Sequence, residues 1–242
     1  MSVVALRLAG PLQCWGARSR FVRRDTEIAP TKSGVLGLVA AAKGLRRTDP
    51  LEMLRGLRFG VRIDQPGQRV RDFQTAQRPK RERDGSTSWP AMPVSYRFYI
   101  SDAVFLALLE GEHELVTAID AALRRPVFPL YLGRRACPPA GPIALGVFDE
   151  DLDAALTTCP WQVSARIQQH TRAGLVTLPT IRDAAVGELT GEAIHDIPVS
   201  FDPNHRRYQW RNIVRDTVQI VNPHGPSVAV TDHDPMSALE GW

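Results

Sequence analysis

Histidine is absent from the first 112 residues: His113, His170, His195, His205, His224 and His233 all lie beyond them. The N-terminal segments therefore lack the commonest general base at neutral pH. The chain also lacks HExxH, GxSxG and the phosphate-loop spacing GxxxxGK[ST], which removes the main sequence signatures of zinc proteases, serine hydrolases and nucleotide triphosphatases. Only three cysteines occur, Cys14, Cys137 and Cys159, an odd number with no CxxC pair. Neither a disulfide framework nor a zinc site is indicated, and a reducing cytoplasm fits. His233 between Asp232 and Asp234 is a single cluster near a polar C-terminus, so no metal and no cofactor is expected. No apolar run approaches the roughly 18 residues of a membrane helix; Val35 to Ala42 and Ala103 to Leu109 are the longest. The N-terminus, MSVVALRLAG, has no charged region before its apolar residues and reads as a strand, not a signal peptide. A cytoplasmic protein without a membrane partner is expected.

Lysine is scarce, at 3 residues against 27 arginines. Arginine forks match phosphate oxygens and stack on bases better than lysine does, although a GC-rich genome produces the same bias. The distribution of charge says more. The net charge of +4 divides into +11 over residues 1–100 and −7 over residues 101–242. A basic first half points to a polyanion, because phosphate attraction is the sequence-independent part of nucleic-acid binding; a basic surface kept for solubility is the alternative.

Val3 to Leu8 alternates as a strand, with Val4, Leu6 and Leu8 on one face. Thr31 or Ser33 can cap a helix reaching about Lys43, in which Val35, Leu38, Val39 and Ala42 form one apolar face and Gly44 can follow the C-cap. Leu57 to Ile63 alternates with Arg58 and Arg62 expected outward, and a second, weaker strand covers Arg69 to Thr75. Residues 77–93 have no periodicity and read as an exposed insertion or long hairpin. Val94 to Ile100 alternates, Ala103 to Leu109 is a buried run, and Glu112 to Leu123 is an amphipathic helix closed by Arg124 and Arg125. The order is β-α-β-β-(insertion)-β-α-β, the plan of an α+β ferredoxin-like or RRM-like domain over residues 1–150. Residues 151–242 read as a smaller, β-rich C-terminal region.

Three constellations can meet RNA. Tyr131, Gly133, Arg134 and Arg135 stand in a Pro/Gly-stiffened loop. There the arginines can grip phosphates, the tyrosine can stack and the glycine admits close approach; a turn with solvated arginines is the alternative. Thr31, Lys32, Ser33 and Gly34 open the first helix, whose N-terminus can hold a phosphate; capping alone also explains them. Trp15 lies among Arg18, Arg20, Arg23 and Arg24, which suits single-stranded RNA, or else it plugs the core at the strand end. The insertion adds Arg78, Lys80, Arg81 and Arg83. Tyr131, Lys32 and His170 can be imagined as the base and cation of a metal-independent ribonuclease, and nothing in their spacing forces that chemistry.

Four segments carry a resemblance: LRLAGPLQCWG (6–16), PTKSGVLGLVAAAKG (30–44), RDFQTAQ (71–77) and PLYLGRRACPPAGPIALG (129–146). Together they resemble the RAMP superfamily of CRISPR RNA-binding proteins, and within it the guide-holding subunit of type I-E surveillance complexes (Cascade). The likeness covers about the first 150 residues well and the last 90 loosely. It implies a RAMP ferredoxin-like fold with a protruding thumb at about residues 77–93, and RNA contact by Trp15, Arg18, Arg20, Thr31, Lys32, Ser33, Gly34, Arg71, Arg78, Lys80, Tyr131, Gly133, Arg134 and Arg135. The implied partners are the 5′ handle of the guide RNA, a backbone RAMP subunit, the large PAM-reading subunit and, indirectly, target DNA. The implied role is non-catalytic. A precursor-cutting endoribonuclease of the type I-C kind is the alternative, and a generic RRM-like module is disfavoured by the missing RNP1 pattern.

Overall fold

The computed structural model describes residues 1–16, 22–185, 187–188 and 191–226; Arg18, Arg20 and His233 lie outside the described residues. In chain order, the first elements are β1 (Ser2–Ala9), β2 (Leu12–Gln13), β3 (Arg23–Arg24), α1 (Lys32–Ala42), α2 (Glu52–Arg55), β4 (Arg58–Gln65) and β5 (Gln68–Gln74). β6 (Lys80–Arg81), β7 (Thr87–Ser88), β8 (Ser95–Ser101), β9 (Val104–Gly111), α3 (His113–Arg124) and β10 (Ala144–Phe148) follow. The last are α4 (Leu152–Thr158), α5 (Ala165–His170), β11 (Leu175–Asp183), β12 (Glu192–Ser200) and β13 (Arg207–Val221).

A seven-stranded antiparallel sheet, ordered β10-β1-β9-β4-β11-β13-β12, organises these elements. Mostly β in content, the chain is a mixed α/β protein. The period-2 pattern of β1 sends Val4, Leu6 and Leu8 to one face, where they pack with α1 and α3, and Val3 and Ala5 to the other, where α4 covers them. Because both faces are covered, β9 is apolar without a break; Phe105, Ala107 and Leu109 face the α1/α3 side, and Leu106 and Leu108 face α4.

Coverage on both faces also corrects one expectation. Arg62 does not reach solvent. It is fully buried, holds Asp64 through two hydrogen bonds (2.7 and 3.0 Å), and donates to the carbonyls of Leu156, Cys159 and Pro160. Those carbonyls belong to the C-terminal end of α4, where backbone acceptors lack helical partners, so the guanidinium satisfies them.

α1 begins and ends where its sequence dictates. Thr31 accepts from Gly34 N–H at the N-terminus (3.2 Å). At the C-terminus Gly44, at φ +78°, bonds to Ala41 O and Leu45 bonds to Ala40 O, which is a Schellman closure.

A second sheet, β2-β8-β3 with β5 also on β8, stands beside the first. β5 and β8 pair from Gln68↔Ser101 to Gln74↔Ser95, and the hairpin continues into a tip where β6 pairs with β7 and Gln77 bridges Ala91. The C-terminal strands join the main sheet where Thr180, Ile181 and Arg182 pair with Arg62, Val61 and Gly60. Trp161, Val163, Leu178 and Ile220 give them a small core of their own. Among the described residues, no helix is long and apolar enough to cross a membrane.

Candidate nucleic-acid interface

The groove side of α1 is built from small residues, Ser33, Gly34, Gly37, Ala40 and Ala41, so the chain around it forms walls and not a cover. One wall is the loop from Phe128 to Pro138; the other is the Phe201–Tyr208 end of the β12–β13 hairpin. Between them runs a groove of about 900 Å³. Arg46, Arg47, Arg135 and Arg206 line it beside Phe128, Tyr131, Phe201 and Tyr208, and no carboxylate lies among its described lining residues. All four arginines are exposed. A concave surface with four cations, four rings and no acid suits a strand that offers phosphates and flat bases.

The loop is held by backbone bonds. Cys14 N–H donates to Leu132 O (3.0 Å), Leu132 N–H to Cys137 O (2.7 Å) and Ala140 N–H to Ala9 O (2.8 Å), with the Leu132 and Cys137 side chains fully buried as anchors. Burial raises the pKa of the Cys14 and Cys137 thiols, which stay protonated at neutral pH. Gly133 sits at φ +88°, and a Cβ there would lie 1.5 Å from the Cys14 carbonyl oxygen. Its glycine is thus required by the crossing of two backbone segments; the expectation that it admits a ligand is replaced by this chain-to-chain approach.

Five predicted residues come together on the groove: Ser33, Gly34, Tyr131, Gly133 and Arg135. Thr31 borders it as the α1 cap. Three others have different work. Trp15 is 0% exposed, donates its indole N–H to Gln13 Oε1 (3.0 Å), and lies under Gly34, where a Cβ would come within 2.9 Å of the ring. It is the core plug, and its faces are not open for stacking. Arg134 donates to the carbonyls of Phe98 (3.2 Å), Arg24 (3.0 Å) and Asp25 (3.4 Å) and lies 4.8 Å from the Tyr99 ring centre. It bolts the loop to the second sheet instead of reaching for phosphate.

Lys32 is 4% exposed, and its Nζ donates to Asp183 Oδ2 (2.8 Å) while its backbone N–H donates to Asp196 Oδ2 (2.9 Å). A carboxylate of the same chain therefore occupies the helix N-terminus that the sequence offered to a phosphate. Arg211 completes this network, bonding Asp183 Oδ1 (2.6 Å) and both oxygens of Asp196 (2.5 and 2.9 Å). Burial works against its charge, but the bonds and charges of Asp196 and Asp183 outweigh burial and raise its pKa.

Arg71, Arg78 and Lys80 lie on the β5–β8 hairpin and its tip, not in the groove. There Arg71 lies 5.4 Å from the centre of the Tyr96 ring, and Arg69 and Arg23 lie 4.4 and 5.0 Å from that of Phe98. Lys80, exposed, pairs with the half-buried Glu82 at 3.3 Å. The groove residues that sequence reasoning missed are Arg46, Arg47, Phe128, Phe201, Arg206 and Tyr208. Arg46-Arg47 directly after the helix-ending Gly44 was an available signal; the C-terminal three had none.

The family model described as CRISPR-associated protein (Cas_Cas5) matches residues 3–214. The Cascade subunit CasD of Escherichia coli K12 is 35% identical over 159 residues, covering 60% of this chain and 70% of that protein. A solved structure described as a CRISPR RNA-guided surveillance complex contains a chain with TM-score 0.74 and 32% identity, covering 93% of each chain. A crystal structure of a Cas protein superposes with TM-score 0.67 and 33% identity, over 93% of this chain and 98% of the other. With its groove, its arginine-rich hairpin and this match over most of its length, the chain belongs to the Cas5 family of CRISPR-associated proteins.

Proposed function

We propose that this protein is the Cascade subunit that holds the 5′ handle of the guide RNA, a structural and not a catalytic part of an antiviral ribonucleoprotein. The groove carries the reading: it gathers Ser33, Gly34, Tyr131 and Arg135, all expected to meet RNA, with three further arginines and no acid among its described lining residues. The order β10-β1-β9-β4, with α1 and α3 on one face, is consistent with the 4-1-3-2 order expected of a ferredoxin-like unit and supports the reading of residues 1–150 as a RAMP domain. In this reading the hairpin tip at residues 77–93 is the thumb, and residues 151–242 are a β-rich extension of the same sheet. The thumb, with exposed Trp89 and Met92 beside Arg78 and Arg81, faces a backbone subunit and the guide, and other surfaces face the large PAM-reading subunit that engages target DNA. A ribose-cleaving site needs a base beside a cation; of the three residues that suggest one, Lys32 is committed to Asp183 and His170 bonds the Arg166 carbonyl on α5, away from the groove lining, so neither joins Tyr131 there, which supports the non-catalytic role.

The test is a titration of repeat-derived handle RNA with wild type and the Arg135→Ala/Arg206→Ala variant. Each charge-assisted contact is worth about 1.5–3 kcal/mol, so affinity falls at least tenfold, and the log–log salt slope flattens by roughly 0.7 per lost contact. Unchanged affinity and slope in a folded double variant remove the groove from the RNA path. Site-specific cleavage of repeat RNA by the purified chain would overturn the non-catalytic assignment.

A further inference from the structure

The outer face of the β12–β13 hairpin carries three rings in a row. His195 stands opposite Trp210 in the strand register, with ring centres 4.9 Å apart and planes tilted 41°. Its other neighbour is Tyr208, at 6.1 Å and edge-on, and the His195 Nε2 lies 3.0 Å from the Tyr208 carbonyl. Tyr208 and Trp210, two residues apart on one strand, share a face, while Arg211, the residue after Trp210, turns inward to the Asp183/Asp196 network. Trp210 is 61% exposed. Arg206 and Arg207, both exposed, sit at the Tyr208 end.

Cross-strand ring pairing alone would account for a stable hairpin. It does not account for the continuity of the cluster with the groove. Tyr208 belongs to both: it lines the groove beside Phe201 and Arg206, and it is the first ring of the row. A strand leaving the groove past Arg206 meets Tyr208, then His195 and Trp210, with no carboxylate among the groove residues to turn it away. From this juxtaposition we infer that the His195/Tyr208/Trp210 row is a stacking platform for unpaired bases of the same RNA strand. It extends the groove by the reach of one or two further nucleotides. The inference rests on the groove's being the RNA site, and its chemistry is sequence-tolerant because every base presents a π-face.

Trp210→Ala, Trp210→Phe and His195→Ala of the full chain separate this from its foundation. The probes are oligoadenylate RNAs of about 4 and about 10 nucleotides, bracketing the shorter site sizes of single-strand binders. Wild type binds the longer probe more tightly than its extra phosphates alone explain. Trp210→Ala weakens the longer probe about fivefold or more and leaves the shorter one within about twofold, the scale of one lost base stack. Trp210→Phe, which keeps a ring, recovers most of the loss, and Trp210 emission is quenched by the longer probe in wild type. Melting curves identify any variant whose hairpin has failed; there Trp210→Phe and the quenching decide. If Trp210→Ala binds both probes as wild type does while Arg135→Ala/Arg206→Ala loses both, the platform is refuted and the groove stands. If neither set of variants changes binding, the groove reading falls with it.

Discussion

Asp183 is the hub of the buried charge network, and substituting it tests whether Lys32 is structural. The Asp183 carboxylate accepts from Lys32 Nζ (2.8 Å), Arg211 Nη1 (2.6 Å) and Phe59 N–H (2.9 Å). Asp183→Ala leaves a buried ammonium and a buried backbone N–H without their acceptor. Removing one partner of a buried pair costs about 3–5 kcal/mol. For a chain of this size each kcal/mol lowers Tm by about 2–4 °C, so a fall of roughly 6–20 °C is expected. Lys32→Met is milder, because Asp183 keeps Arg211 and Phe59 N–H; about 1.5–3 kcal/mol is the scale of one charged hydrogen bond. The double variant costs no more than Asp183→Ala alone, since the stranded ammonium is gone as well. Thermal and urea unfolding of the four proteins in the cycle measure the coupling. Additive losses, or a Lys32 variant weaker than the Asp183 variant, would refute the network as described. Handle affinity is the second readout: Lys32→Met, folded, binds handle RNA within about twofold of wild type. A tenfold loss would return Lys32 to the phosphate role that the sequence suggested.

Arg134→Ala lowers Tm while the neighbouring Arg135→Ala leaves it unchanged, because only Arg134 bonds the carbonyls of Phe98, Arg24 and Asp25; equal melting temperatures would contradict the bolt. Burial pushes the Cys159 thiol up to about 11, above its unfolded value near 8.5. The folded chain therefore holds that proton where the unfolded chain has lost it, and this stability, complete below pH about 8.5, disappears as pH rises towards about 11. Urea midpoints across that range fall less steeply in Cys159→Ala than in wild type if the thiol contributes, and fall in parallel if it does not. Replacing residues 77–93 by a short Gly-Ser turn leaves the Gln68–Gln74/Ser95–Ser101 ladder in place, so Tm changes little while incorporation into the assembled complex weakens. A large fall in Tm would show that the tip is packed within the fold.

Where one face of an element is apolar and the other is not, the sequence announced it. β1, β4 and α3 were legible from spacing, and α1 from Thr31, its Val35/Leu38/Val39/Ala42 stripe and Gly44. β9 was visible only as an apolar run, because covering both faces erases alternation. β11 to β13 were faint because few of their side chains are buried and several of those are polar, Thr180, Asp183 and Asp196 among them, and because β12 is interrupted by register shifts at His195/Ile197 and Pro198/Ser200. The site follows the same rule. The Tyr131–Arg135 loop and the start of α1 were found as local clusters. Arg206 and Tyr208 were not, because only folding brings them to α1. Trp15 was left open between stacking and core, and Lys32 and Arg134 were read as free, for a related reason: a polar or aromatic side chain looks available until the groups that bind it, Gln13 and Gly34, Asp183, Phe98 and Arg24, are in place.

The main sheet ends in β10 on one side and β12 on the other, and each free edge is blunted by its own device. β10 is five residues long, carries Gly146 at φ +131° and meets β1 across a bulge. β12 holds Pro198, which offers no N–H, and is twice broken in register. Both strands are poor templates for another strand, which limits backbone pairing between copies of this chain along β10 and β12. Within a Cascade assembly, that leaves recognition along these two strands to side chains and to RNA, a surface chemistry that can be rewritten one residue at a time.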